Sequence, residues 1–148
     1  MKKAFTMIEL VFVIVILGIL ASVAIPKLAA TRDDAEVATG VQRANHLITG
    51  IASYYTVHGA FDSNLSKMTN ESLMDSANNP FSGDFMTTPA YFGNSVLTKR
   101  CIKVVADDNN GTLTLSASSD GSSYCQSLIS QMRAMLKVHK FGGSAIYE

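Results

Sequence analysis

Cysteine, histidine and net charge are all scarce in this chain of 148 residues. Its two cysteines, Cys101 and Cys125, are too few for a disulfide scaffold or for a zinc site of cysteines alone. The three histidines, His46, His58 and His139, stand singly, and no two of them have metal-ligand spacing. Lys plus Arg number 12 and Asp plus Glu 12, so no net field exists to steer nucleic acid or an acidic partner. Neither the nucleophile elbow G-x-S-x-G nor the phosphate cradle G-x-x-x-x-G-K-[ST] occurs, and the chain reads as no enzyme. Disorder is excluded too, because only 16% of residues are charged while 47% are hydrophobic. The length suits one domain, at about 150 residues each.

The apolar surplus is concentrated at one end. No charged residue occurs between Leu10 and Ile25. From Phe5 to Ile25 a helix would reach about 31 Å at about 1.5 Å per residue, enough to cross a hydrocarbon core of about 30 Å. Lys2 and Lys3 precede the run and a polar body follows it, which places the amino end in the cytoplasm and the body outside. Three readings compete. One is a cleavable signal peptide cut after the small residues Ser22-Val23-Ala24. Another is a plain anchor. The third has to explain Glu9, a carboxylate that costs roughly 2.5–3.5 kcal/mol near the centre of a spanning helix and less near its end. Neither a signal peptide nor a simple anchor gains from it.

The stretch KKAFTMIELVFVIVILGILASVAIP, Lys2 to Pro26, resembles the class III signal of type IV pilins and type II secretion pseudopilins. The resemblance covers roughly the first 30 residues. It implies removal of a leader, residues 1–4, between Ala4 and Phe5, methylation of the new Phe5 amine, and a role for Glu9 in subunit assembly. Gly18 and Pro26 fall where that family has its helix-loosening glycine and proline. One departure is Ala4, where the family most often has Gly. The implied fold is α+β and pilin-like: a long amino-terminal helix packed on a small antiparallel sheet, with a carboxyl-terminal helix. The implied partners are other copies of the chain in a helical filament, a prepilin peptidase, an inner-membrane assembly platform and a cytoplasmic ATPase. Minor pseudopilins and an outer-membrane secretin join them in the secretion version.

The chemistry suits that resemblance. A freed Phe5 amine is a cation at the membrane face, and Glu9 of a neighbouring subunit would remove an uncompensated charge worth several kcal/mol in low dielectric. Pairing fixes one axial offset, and a head-to-tail contact that does not close on itself builds a helical filament. The bland alternative has Glu9 snorkelling to the interface.

Past Pro26 the helix changes style. Val37, Val41, Ala44, Ile48, Ile51 and Tyr55 form an apolar stripe at helical spacing, and Gly59 after His58 is a carboxyl-terminal cap. The chain thus divides into the leader, 5–26 as the membrane and polymerisation half of one helix, 27–58 as its amphipathic half, and 59–148 as a periplasmic globular region. Pro26 predicts a kink or local melting, and Gly40 and Gly50 each weaken the helix by up to about 1 kcal/mol. Residues 59–99 carry turn signals, with a short helix expected around Ser66–Asp75. Cys101–Ala106 and Thr112–Ala117 read as a hairpin with Ile102, Val104, Ala106, Leu113, Leu115 and Ala117 on one face, laid on the helical stripe. Ser123 and Gln126 form a capping box for a helix to about Lys137, whose Met132 and Met135 are core. Ser144–Tyr147 reads as an edge strand.

Cys101 and Cys125 lie in the part assigned outside the cytoplasm, where disulfides persist. A bridge would tie the start of the hairpin to the start of the last helix, and many pilins similarly carry one in this half. Two buried free thiols are the alternative. No cofactor is expected. Asp107 and Asp108 are weak calcium candidates, since some secretion pseudopilins bind calcium, but the turn lacks alternating ligand spacing and acidic residues are common in hairpins. Lys99, Arg100 and Lys103 read as a solvated face rather than a nucleic-acid contact.

The expected function is therefore structural. The small body and modest disulfide loop favour a subunit of a type II secretion-like pseudopilus that drives protein export. The alternative is a type IV pilus pilin for adhesion, motility or DNA uptake. A monomeric, membrane-anchored periplasmic binding module is a distant third. In either filament reading the chain is a single-pass inner-membrane protein with its body in the periplasm, or in an extracellular filament after assembly.

Overall fold

The computed structural model describes residues 5–94, 98–118 and 120–142. Ala4 and the edge strand expected at Ser144–Tyr147 lie outside the described residues. Helix α1 spans Met7–His58. The chain divides into two compact units, Met1–Ala35 and Glu36–Glu148.

Within the first unit α1 is apolar all round and its side chains are exposed from Phe5 to Ile25. Such a surface needs lipid or protein around it. By length and composition Met7–Ile25, with a mean hydropathy of 2.9, suffices to cross a membrane. The chain stays helical through Gly18 and Pro26, so melting there is not what is seen.

The second unit is built on a four-stranded antiparallel sheet in the order β1 (Ala90–Gly93), β2 (Arg100–Asp107), β3 (Thr112–Ala117), β4 (Val138–Lys140). Helix α2, Ser123–Gln131, connects the last two strands. This is the expected α+β, pilin-like plan. The hairpin is in register as its alternation predicts, with Val104 opposite Leu115 and Ala106 opposite Leu113. Gly111 supplies a positive φ of 59° in the connection. Ile102, Val104, Ala106, Leu113 and Leu115 are buried in one cluster with Val37, Ala44, Ile51 and Tyr55 of α1. Leu47, outside the expected stripe, is fully buried there as well, and Val41 and Ile48 are half-buried. Gly59 ends α1 at φ 73°, its N–H donating to the Tyr55 carbonyl at 2.7 Å.

Several expectations are corrected. Only a 3-10 turn at Leu65–Lys67 forms where a helix was expected around Ser66–Asp75. Beyond it Met74 runs extended, bridging Pro80 and Tyr91, because the chain must reach the sheet edge. The supposed loop 59–99 contains β1, which pairs with β2 through Tyr91 opposite Lys103. Helix α2 stops at Gln131 rather than Lys137, since the following residues turn and Val138–Lys140 pairs with β3. Its cap is Ser122, whose hydroxyl accepts from Cys125 N–H at 3.3 Å, not Ser123. Gln126 instead donates to the Gly121 carbonyl at 3.2 Å. Ala117 is exposed at the end of its strand rather than packed inward.

Candidate functional site

At the amino terminus the first turn of α1 brings Glu9 against Thr6. Thr6 precedes the helix, and its carbonyl accepts the N–H of Leu10. Its hydroxyl accepts from Glu9 N–H at 3.3 Å, while Glu9 Oε2 takes the Thr6 N–H at 2.8 Å and the Thr6 hydroxyl at 2.6 Å. That is a reciprocal capping box, which satisfies orphan amide donors that lipid cannot. Sequence reasoning passed over Thr6. The signal was present, because Thr followed three residues later by Glu ahead of an apolar run marks such a box. Glu9 therefore has a local partner on its own chain. Both bonds that its carboxylate accepts from Thr6 fall on Oε2, and among the described residues none is made by Oε1. Phe5, the residue next to Thr6, is 87% exposed.

This geometry sits on a recognisable stretch of sequence. Residues 1–25 match the model of the prokaryotic N-terminal methylation motif. It is a class III signal of the type IV pilin family. The prepilin signal is accompanied by likeness to named pilins. A fimbrial protein of Neisseria meningitidis serogroup A is 39% identical over 64 residues, covering 43% of this chain and 38% of that protein. A type IV major pilin protein, PilE1, of Neisseria gonorrhoeae is 38% identical over 64 residues, covering 43% of this chain and 39% of that protein. The aligned stretch thus spans less than half the length of either relative. No solved structure gave a significant match.

The other candidates lie in the second unit. Cys101 and Cys125 form a disulfide with their Cα atoms 4.8 Å apart, and both are fully buried. The free-thiol alternative is not what is seen. Asp107 and Asp108 serve the hairpin turn. Asp107 accepts from Asn109 N–H at 3.0 Å, and Asp108 accepts from Phe61 N–H at 2.8 Å, clamping the segment after α1 to the hairpin. Among the described residues no group of three or more His, Cys, Asp or Glu side chains converges as a metal site would require. Of the basic trio, Lys103 stands opposite Tyr91 in the sheet and the other two lie over rings. Lys99 lies over the Tyr124 ring at 5.6 Å, and Arg100 lies over Tyr91 at 5.2 Å and donates to the Ser76 carbonyl. Met132 is fully buried and Met135 half-buried in the core, as expected.

Proposed function

We propose that this chain is a structural subunit of a type IV pilus-like filament, anchored in the inner membrane before assembly and processed by a prepilin peptidase. The observation that carries the reading is the methylation motif set directly on an exposed apolar helix. The relatives named above are a fimbrial protein and a major pilin, which favours the pilus over the secretion pseudopilus. Cleavage between Ala4 and Phe5 would leave a Phe5 amine one residue before the capping box. Glu9 would then serve twice: Oε2 closes the first turn of its own helix, and Oε1 accepts the Phe5 ammonium of a neighbouring subunit. Lipid-exposed residues such as Phe12, Leu17 and Leu20 would exchange lipid for neighbouring helices in the filament. Gly18 and Pro26 would let the helix bend as it leaves the bilayer. A cytoplasmic ATPase and its platform would supply the energy, since the chain carries no phosphate-binding motif.

The test is recovery of the chain from filaments sheared off the cell surface, followed by intact mass measurement. The expected product begins at methylated Phe5 and retains the Cys101–Cys125 bond. A mature start at Ile25 would overturn the filament reading. Processed chain confined to short periplasmic filaments, even on overexpression, would return the function to the secretion pseudopilus.

A further inference from the structure

The segment between α1 and β1 is folded around three neighbouring polar cavities that share lining residues and together form a groove. Its first cavity, about 490 Å³, is lined by Ser63, Asn64, Ser66, Phe81, Ser82 and Asp84 among others. A second of about 360 Å³ shares Leu65, Ser66 and Phe81 with it and runs on past Asn70 and Glu71. A third of about 330 Å³ shares Ser66, Thr69, Asn70 and Glu71 with the second and ends at His46 and Gly50 of α1. Sites of this size hold small ligands, and the best are formed before the ligand arrives. This one is held in place. Phe85 N–H donates to the Ser63 carbonyl at 2.9 Å, Phe81 N–H to Leu73 at 2.8 Å, and Arg43 grips Glu71 at 2.8 Å.

The chemistry of the walls narrows the occupant. Two charges are answered within the fold: Lys67 by Asp62 at 2.8 Å, and Glu71 by Arg43 at 2.8 Å. Asp84 is the remaining carboxylate, with Oδ1 already accepting from Met86 N–H at 2.9 Å. Among the described residues an anion would find no unpaired basic side chain, and a cation would find a single exposed carboxylate. By contrast the Ser63, Ser66 and Ser82 hydroxyls and the Asn70 amide are exposed, and among the described residues none has a recorded side-chain hydrogen bond. Beside them stands one partly buried aromatic ring, Phe81, in a T-shaped contact with the fully buried Phe85, centroids 6.1 Å apart. Hydroxyls and amides that both donate and accept, next to an aromatic wall, match the alternating hydroxyl edges and C–H faces of pyranose rings. We infer that this groove binds a neutral oligosaccharide, seated on Phe81 and hydrogen-bonded by the serines and Asn70.

The test uses the full chain, isotope-labelled, in micelles of lauryldimethylamine oxide, a detergent without sugar. Amide shifts are followed on adding cellohexaose, maltohexaose or chitohexaose, with hexagalacturonate as the anionic comparison. At least one neutral hexasaccharide is expected to shift the amides of residues 63–71 and 81–84 saturably. Phe81→Ala should weaken that binding about tenfold, as removal of a central anchor does. Since Phe81 also touches the core, a second variant combines Asn70→Ala with Ser82→Ala, both exposed, and should weaken binding while leaving the rest of the spectrum in place. No saturable shift with any neutral sugar overturns the proposal. So does tighter binding of hexagalacturonate, or binding that survives unchanged in the double variant.

Discussion

Under the proposed pairing, Glu9 would carry two loads that ordinary substitutions remove together. A capping box accepts Gln as well as Glu at its third helical position, whereas an ion pair needs the charge. Glu9→Gln should therefore keep the first turn of α1 and lose only the attraction for a neighbour's Phe5 amine. The expected result is normal membrane levels and leader removal with filament yield falling nearly as far as in Glu9→Ala, scored by electron microscopy of sheared material. Abundant filaments from Glu9→Gln would assign the residue to capping alone. Thr6→Val supplies the converse, since it deletes the hydroxyl, costs about 1 kcal/mol at the helix end, and leaves the carboxylate in place. Its filament yield should fall less than that of Glu9→Gln. The Thr6 box was legible in the sequence, because its three-residue spacing is a local rule. The cap of α2 was read one residue late, because Ser122 and Ser123 are adjacent and only backbone geometry distinguishes a cap from a first helical residue.

Packing between elements decides what glycine does in α1. Helix propensity alone says that Gly50→Ala should stabilise by about 1 kcal/mol. A Cβ there would sit 2.9 Å from the Met68 carbonyl oxygen, which is backbone in the segment that closes over the helix. Overpacking costs about 1–3 kcal/mol, so against the propensity gain we expect net destabilisation of up to about 2 kcal/mol. Gly40→Ala meets only side-chain ends, Tyr124 Oη at 2.7 Å and Leu128 Cδ1 at 3.0 Å, which can give way, so its cost should be smaller. Thermal melts of both variants check the order. The disulfide joins β2 to α2 across a separation of 24 residues, and the chain-entropy relation gives it roughly 3.5 kcal/mol. Cys125→Ser should lower the melting temperature without blocking leader removal. Elements with strong internal periodicity were legible: α1 and the β2–β3 hairpin. Strands β1 and β4 were not, because four and three residues carry too little alternation and owe their form to pairing with a neighbour.

At the scale of the whole molecule, charge and core are distributed unequally. The Lys67 ammonium and then the Asn64 N–H hold Asp62 below the usual carboxylate range, and the Asn79 N–H does the same first for Asp75. A carboxyl whose folded value is lowered binds fewer protons in the native state, so its stabilisation is present above the ordinary carboxylate range and is lost as pH falls through the lowered value. Melting temperature should hold steady toward mild acid and then fall, and Asp62→Asn should flatten that acid limb. The core offers a sharper test. Every residue of the buried cluster, from Val37 to Met132, lies within Glu36–Glu148, and the described residues of Met1–Ala35 contribute none. The first unit is thus organised for a surrounding of lipid or other copies, while the second has its own sheet, disulfide and packed interior. A chain cut to residues 36–148 should be a soluble monomer that keeps the Cys101–Cys125 bond and unfolds cooperatively, with only the new end of α1 fraying. Light scattering and thermal melts at several concentrations would show one monomeric transition that does not move with concentration. Aggregation, or loss of a cooperative transition despite the intact disulfide, would mean that the apolar helix stabilises the body as well as anchoring it. The separation of assembly from folding, on which the filament reading depends, would then have to be abandoned.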